Sequence, residues 1–231
     1  MAHDETLVIG VDIGSIRRPG GFAWADASGD AHGTDDPSEL ATYMGAALRN
    51  GRRVALAIES PLSVPIPSVS GDGWQDLGRA RTGEGNRSWS AGAGSGSLAT
   101  GLAQLTWLLS HVAATASRAV AATVLLERFH DGDADLLVTE AMVTGEGKPE
   151  PVDDLGNHRG QDLADAVAAA RRLEEILRRP SAADEFTVVC APAESFNLAA
   201  AAALRAQLDI AVSELAAEVV IARVLPVGPP S

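Results

Sequence analysis

Short apolar runs that end in a carboxylate recur along the chain. The first run, residues 7–15, is aliphatic except for Asp12 and closes with glycine and serine. Such a run predicts a buried central strand, in which an ionised side chain is costly unless it is paired or binds a cation. Residues 54–59 and 136–140 repeat the pattern and end in Glu59 and Glu140. We therefore expect three buried strands that each carry an acid near the carboxyl end.

The remaining pattern alternates strands with helices. Residues 22–26 predict a strand that returns beside the first as a hairpin, and residues 31–34 predict a short third strand. A helix is predicted to begin at Asp36-Pro37-Ser38 and to end before Asn50-Gly51. Further helices are predicted at 98–116, 162–179 and 197–208. Further strands are predicted at 136–143, at 186–191 and in the last residues. Residues 120–129 fit either a helix or a strand. This alternation indicates an α/β fold with a mixed sheet covered on its faces.

Residues 61–97 interrupt the pattern with many prolines and glycines. A loop of this length in a compact protein is usually functional or disordered. We interpret it as an insertion in a single domain that spans residues 1–231, because 231 residues with 46% hydrophobic content can bury one large core. The loop is either a flexible lid or a nucleic-acid contact, since it carries arginines for phosphates and tryptophans for stacking on bases: Arg79, Arg81, Arg87, Trp74 and Trp89.

Composition restricts the classes of function. The net charge of −13 argues against nonspecific nucleic-acid binding by the whole surface, so any such site must be local. The single cysteine, Cys190, excludes an internal disulfide and favours a reducing compartment. The N-terminus lacks the regions of a signal peptide, and no apolar stretch approaches membrane-spanning length. We expect a cytoplasmic protein that makes no membrane contact.

The acidic residues fall into a pattern that suits metal binding. Asp162 and Asp165 lie three residues apart at the start of a predicted helix and therefore share one face. Ligands of open α/β sheets bind beyond the carboxyl ends of strands, where Asp12, Glu59 and Glu140 meet if their strands are neighbours. Clustered carboxylates repel, so their pKa values rise or divalent cations neutralise them. Oxygen ligands suit Mg²⁺ or Mn²⁺, and two such ions about 3.5–4 Å apart can drive phosphodiester hydrolysis.

Asp165 is followed by small residues at 166–170, which would let its helix approach the sheet closely. The other four acids also have a simpler interpretation. Asp12 precedes Gly14, and Asp-x-Gly turns are common. Glu59 and Glu140 close their strands and could already lie in water. Asp162 could favour the N-terminus of its helix electrostatically. His158 could orient a water or bind a phosphate beside the acidic helix, or lie in a solvated loop. The order of all the acids along the chain is therefore more informative than any one of them.

The motifs resemble the ribonuclease H-like superfamily. They are Gly10-Val-Asp12-Ile-Gly with its hairpin partner Gly21-Phe-Ala-Trp-Ala-Asp26, then Ile58-Glu-Ser-Pro-Leu62, Val138-Thr-Glu140 and Asp162-Leu-Ala-Asp165-Ala. In order and length they are similar to a family of predicted ribonuclease H-like nucleases of unassigned function, and more distantly to Holliday-junction resolvases. The resemblance implies a ribonuclease H-like mixed β-sheet flanked by helices.

The resemblance also implies roles for individual residues. It assigns two metal ions to Asp12, Glu59, Asp162 and Asp165, and it makes Glu140 a further strand-borne acid of the site. The chain departs from the nuclease family in two places. The fourth-strand acid is Glu59 where that family more often has aspartate, and Glu140 lacks the His-Pro that commonly follows it.

The expected function is therefore a Mg²⁺- or Mn²⁺-dependent nuclease whose substrate is DNA or RNA. Its expected catalytic residues are Asp12, Glu59, Glu140, Asp162 and Asp165, and its expected substrate contacts are Arg79, Arg81, Arg87 and His158. Two alternatives stay open. Asp12-Ile-Gly-Ser15 also resembles the first phosphate loop of actin-like phosphotransferases, although the chain has no second Asp-x-Gly-Ser/Thr loop. A non-catalytic nucleic-acid-binding module with the same fold is the other alternative.

Overall fold

A computed structural model describes residues 6–67, 69, 72–81, 89–143, 148–152, 157–179, 195–218 and 220–224. Within them the strands are β1 (Leu7–Ile13), β2 (Phe22–Asp26), β3 (His32–Thr34), β4 (Val54–Glu59), β5 (Ser63–Pro65), β6 (Ala122–Thr123), β7 (Leu136–Met142), β8 (Ser195–Asn197) and β9 (Ile221–Arg223). The helices are α1 (Pro37–Arg49), α2 (Gly92–Ala116), α3 (Leu126–His130), α4 (Asn157–Arg178) and α5 (Leu198–Arg205), with 3-10 turns at Gly73–Asp76 and Val212–Ala216.

The central sheet is mixed and mostly parallel. Its strand order is β3-β2-β1-β4-β7-β6, and β9 also pairs with β7. Strand β2 runs antiparallel to its two neighbours, β1 and β3, whereas β1, β4 and β7 run parallel, as do β6 and β9 beside β7. The predicted α/β class with a mixed sheet is therefore confirmed. No helix in the described part of the chain is long and apolar enough to cross a membrane.

Side chains of β1 alternate between the two faces of the sheet, as a pleated strand requires. Ile9 and Val11 are buried in the large core that α1, α2 and α5 cover. Val8 faces a second core, in which α4 contributes Leu173 and Ile176. Asp12 has the same parity as Val8, so its carboxylate leaves the sheet on the α4 side. The alternation in β1 thus decides which helix lies over the acid.

Helix α4 packs against β1 at unusually short range. A Cβ atom built on Gly10 would lie 2.0 Å from the Ala166 carbonyl oxygen and 2.5 Å from the Ala170 nitrogen. Only glycine fits such an approach, and the buried alanines on this side of α4 leave room for it. The prediction that small residues let this helix approach the sheet closely is confirmed. The approach brings the acids of α4 to the end of β1.

Several predicted element boundaries are also confirmed. The Asp36 side chain caps α1 by accepting a hydrogen bond from the Ser38 nitrogen. The short third strand is β3, and the ambiguous segment 120–129 divides into β6 and α3. The predicted strand at 186–191 lies among residues that the structure does not describe.

Two helix starts and part of the predicted loop need correction. Helix α2 begins at Gly92 rather than at residue 98, because its exposed first turns carry no apolar pattern that the sequence could reveal. Helix α4 begins at Asn157, so Asp162 and Asp165 lie in its interior and not at its N-terminus. Within the predicted loop, β5 pairs with β8 in a separate two-stranded sheet.

Candidate metal centre

Asp12 and Glu59 lie side by side at the carboxyl ends of β1 and β4. Their Cα atoms are register partners in the parallel pairing of the two strands. Because partners in register point to the same face, both carboxylates leave the sheet toward α4. The prediction that neighbouring strands bring these two acids together is confirmed.

Asp165 of α4 completes a group of three carboxylates, here called the acidic cluster: Asp12, Glu59 and Asp165. One carboxylate oxygen of each residue lies within 4.8 Å of those of the other two. Asp162, one turn earlier on α4, interacts with Asp12 through a hydrogen bond and through its charge. Four of the five predicted acids therefore converge at one edge of the sheet.

The environment of the acidic cluster favours the protonated forms of its carboxyl groups over the ionised forms. Burial and the charges of Asp162 and Asp165 raise the pKa of Asp12 to about 7. Burial and the charges of Asp12 and Asp165 raise the pKa of Glu59 to about 9, against the effect of a hydrogen bond from the Val143 backbone. The buried Oε2 atom of Glu59 accepts no hydrogen bond from any described residue. A cation bound by these oxygens would offset the repulsion between the carboxylates and would give the Glu59 Oε2 atom a partner.

Two cations lie beside these acids. The Lys148 ammonium is 2.9 Å from Oδ2 of Asp165, and the Arg18 guanidinium is 3.3 Å from Oδ2 of Asp162. Partial burial alone would lower the pKa of Lys148, but Asp165, Glu59 and Asp12 together raise it. Arg18 lies in the turn between β1 and β2, and Lys148 lies between β7 and α4. No local sequence pattern marks Lys148 or Arg18 as part of the site, although Lys148 is the only lysine in the chain.

Glu140 does not belong to the acidic cluster, which corrects its predicted role. In the pairing of β4 with β7 its register partner is Ile58 and not Glu59. Its side chain therefore leaves the sheet on the opposite face. There it accepts two hydrogen bonds of 2.6 Å from Arg81 and one of 2.8 Å from the Leu62 nitrogen. Glu140 holds a loop to the sheet.

The predicted substrate contact by Arg81 also needs correction. Its side chain is 0% exposed and donates to Glu140 and to the Ser63 hydroxyl group, so it is a buried partner of Glu140 and not an exposed arginine of a surface loop. Arg79 is partly exposed and lies 3.8 Å from Asp76. Arg87 and the His158 side chain lie outside the described parts of the chain, so their predicted roles stay predictions.

A cavity of about 280 Å³ lies beside the acidic cluster. Glu59 forms part of its wall, and Ser60, Met142 and the Arg81–Glu140 pair form other parts. The first two turns of α2 contribute Ala93, Gly94 and Ser97. A molecule bound in this cavity would therefore contact Glu59, one member of the acidic cluster.

Comparison with known proteins gives no family assignment. No family model, curated protein or solved structure matches the chain. Its function is therefore inferred from the geometry of the acidic cluster and from the resemblance of its motifs.

Proposed function

We propose that the protein is a metal-dependent nuclease that hydrolyses phosphodiester bonds in DNA or RNA. Asp12, Glu59 and Asp165 hold Mg²⁺ or Mn²⁺ in this proposal, and Asp162 supports Asp12. The observation that carries the proposal is the convergence of three carboxylate oxygens, one from each residue, within 4.8 Å of one another. The buried Oε2 atom of Glu59, which no described group satisfies, adds to it.

The chemistry of the donor set fits a hard divalent cation. All three groups are carboxylates, the ligand type that Mg²⁺ and Mn²⁺ prefer. Binding a cation would favour their ionised forms, whereas without one the pKa values of Asp12 and Glu59 are raised to about 7 and about 9. When bound, such an ion polarises a phosphoryl oxygen and lowers the pKa of a water.

The positions of the acids support a ribonuclease H-like interpretation of the sheet. Asp12 lies on the first strand and Glu59 on the fourth, and Asp165 lies on a long helix against the first strand. These are the places that the motif resemblance implies for metal ligands. The proposal leaves out Glu140, because it points to the other face of the sheet.

Positive groups near the acidic cluster could receive the substrate. The chain carries a net charge of −13, so phosphate contacts have to be local. The Arg18 side chain is 52% exposed and lies beside Asp162, where it could meet a phosphate that enters the site. Arg79 and Arg87 keep their predicted role as more distant phosphate contacts.

A cleavage assay tests the proposal. Wild-type protein with Mg²⁺ or Mn²⁺ should cut at least one member of a panel of single-stranded, duplex and branched DNA and RNA. Asp12→Asn should lose this activity by at least about 100-fold, because it removes a proposed metal ligand. Asp131→Asn removes an exposed acid before β7, at the other end of the sheet, and should cut normally. Undiminished cleavage by Asp12→Asn would contradict the proposal.

A further inference from the structure

We propose that Lys148 takes the place of a second metal ion, so that the site binds one divalent cation and not two. This inference rests on the proposed function, because it describes how the same acidic cluster is neutralised. It makes Lys148 a positioning residue that sets the number of metal ions.

The Lys148 ammonium contacts the carboxylate oxygen of Asp165 that a second ion would need as a ligand. Its ammonium lies 2.9 Å from Oδ2, and the Gln161 amide donates a 2.7 Å hydrogen bond to Oδ1. Both oxygens of Asp165 therefore already have a donor. The Asp165 side chain is only 3% exposed, so water does not readily replace either donor. One further ion can share Asp165 with Lys148, but a pair of ions would have to displace it.

The segment around Lys148 is anchored to the start of α4. The Val152 nitrogen donates a 3.0 Å hydrogen bond to the Gly160 carbonyl, and Gln161 donates one of 3.1 Å to the Pro149 carbonyl. A Cβ atom at Gly160 would lie 2.3 Å from the Val152 oxygen, so the two segments are in close contact. Gln161 thus bonds both to Asp165 and to the residue after Lys148. This arrangement holds the backbone next to Lys148 against α4, within reach of Asp165.

The balance of charge favours one ion. Among the described residues, ionised Asp12, Glu59, Asp162 and Asp165 carry four negative charges, and Lys148 and Arg18 supply two positive charges. One divalent ion neutralises the two negative charges that remain in this set. A second ion would add two positive charges beside carboxylates that are themselves largely buried, where unbalanced charge is costly. Removal of the lysine charge should restore room for a second ion.

Counting bound metal tests this inference without a substrate. Titration with Mn²⁺, followed by the electron paramagnetic resonance signal of the free ion, gives the number of ions bound per chain. Wild type should bind one ion. Lys148→Met keeps the aliphatic length but removes the charge, and it should bind two. Lys148→Arg keeps the charge and should bind one.

A control separates the site from general surface charge. Arg178→Met removes an exposed cation that is paired with Glu174 near the end of α4, and it should bind one ion as wild type does. Two ions in wild type, or an unchanged number in Lys148→Met, would overturn the inference while leaving the proposed metal site in place. No bound Mn²⁺ in any of these proteins would overturn both.

Discussion

Asp12 and Glu59 are register partners on adjacent parallel strands, and their carboxylates lie together under α4. Two acids in this position repel each other when both are ionised. The sheet holds them there because the aliphatic residues that precede them are buried on both faces. Without a metal ion the acidic cluster should therefore oppose folding, and this expectation separates a ligand site from a structural one.

Neutralising Asp12 should not destabilise the metal-free protein. In EDTA near pH 8, the melting temperature of Asp12→Asn should equal or exceed that of wild type. For a chain of this size, an increase of about 1 kcal/mol in the free energy of unfolding raises the melting temperature by about 2–4 °C. The matched control is Glu214→Gln, because buried Glu214 receives hydrogen bonds from Thr123, Val124 and Arg128. The free energy of unfolding of Glu214→Gln should be about 1–3 kcal/mol lower than that of wild type. If Asp12→Asn loses as much in thermal melts, Asp12 is structural.

The stability of the metal-free protein should fall as the pH rises. The folded-state pKa values of Asp12 and Glu59 are raised to about 7 and about 9, against about 4 in an unfolded chain. Between these limits the folded state binds more protons than the unfolded state, so stability decreases with increasing pH. The decrease is absent below the unfolded-state pKa values and complete above the folded-state values.

Melting curves in EDTA from pH 5 to pH 9 measure this effect. The wild-type melting temperature should drop more steeply than that of Asp12→Asn, because the variant lacks one of the two raised acids. The difference between the two curves isolates the acidic cluster from the general charge of the protein. Parallel curves would show that Asp12 has an ordinary pKa.

Arg81 should be required for stability, since it is fully buried against Glu140. Arg81→Met leaves the Glu140 carboxylate in the interior without its cation, and breaking such a pair costs about 3–5 kcal/mol. The double variant Arg81→Met/Glu140→Gln removes the uncompensated charge and should recover part of the loss. Urea unfolding measures both variants. A loss below 1 kcal/mol for Arg81→Met would mean that the loop is held by other contacts.

Gly10 should resist any substitution, because α4 lies directly against it. Gly10→Ala places a Cβ atom 2.0 Å from the Ala166 oxygen. The free energy of unfolding should therefore fall by about 3 kcal/mol or more, at the upper end of the range for overpacked cores. The control is Gly96→Ala in α2, where the added Cβ meets no described atom within 4 Å apart from its own chain neighbours and helix backbone. That variant should gain about 0.5–1 kcal/mol from helix propensity. Denaturant midpoints of the two variants should therefore move in opposite directions.

The sequence predicts the strands of the site well, because a carboxylate that closes a buried aliphatic run is a local signal. Asp12 and Glu59 are identified in this way, and the small residues of α4 indicate how closely Asp165 can approach. The register between strands is not a local property. Glu140 lies near the end of a similarly apolar strand, but it pairs with Ile58 and therefore points to the other face.

Loop cations are harder to predict for the same reason. Arg81 and Lys148 lie in polar stretches without an apolar pattern, and each contacts an acid on another element, Glu140 of β7 and Asp165 of α4. An arginine in a glycine-rich loop fits a substrate contact as well as a buried partner for Glu140. Only the folded structure separates these two roles.

Crystals grown with Mn²⁺ would show the metal site itself, because Mn²⁺ gives an anomalous diffraction signal that locates the ion without reference to activity. We expect one anomalous peak bound by oxygens of Asp12, Glu59 and Asp165, at about 2.0–2.3 Å as expected for a small hard cation. Lys148 should remain at Asp165 beside that single ion. If crystals that hold millimolar Mn²⁺ show no peak at these carboxylates, the acidic cluster is not a metal site.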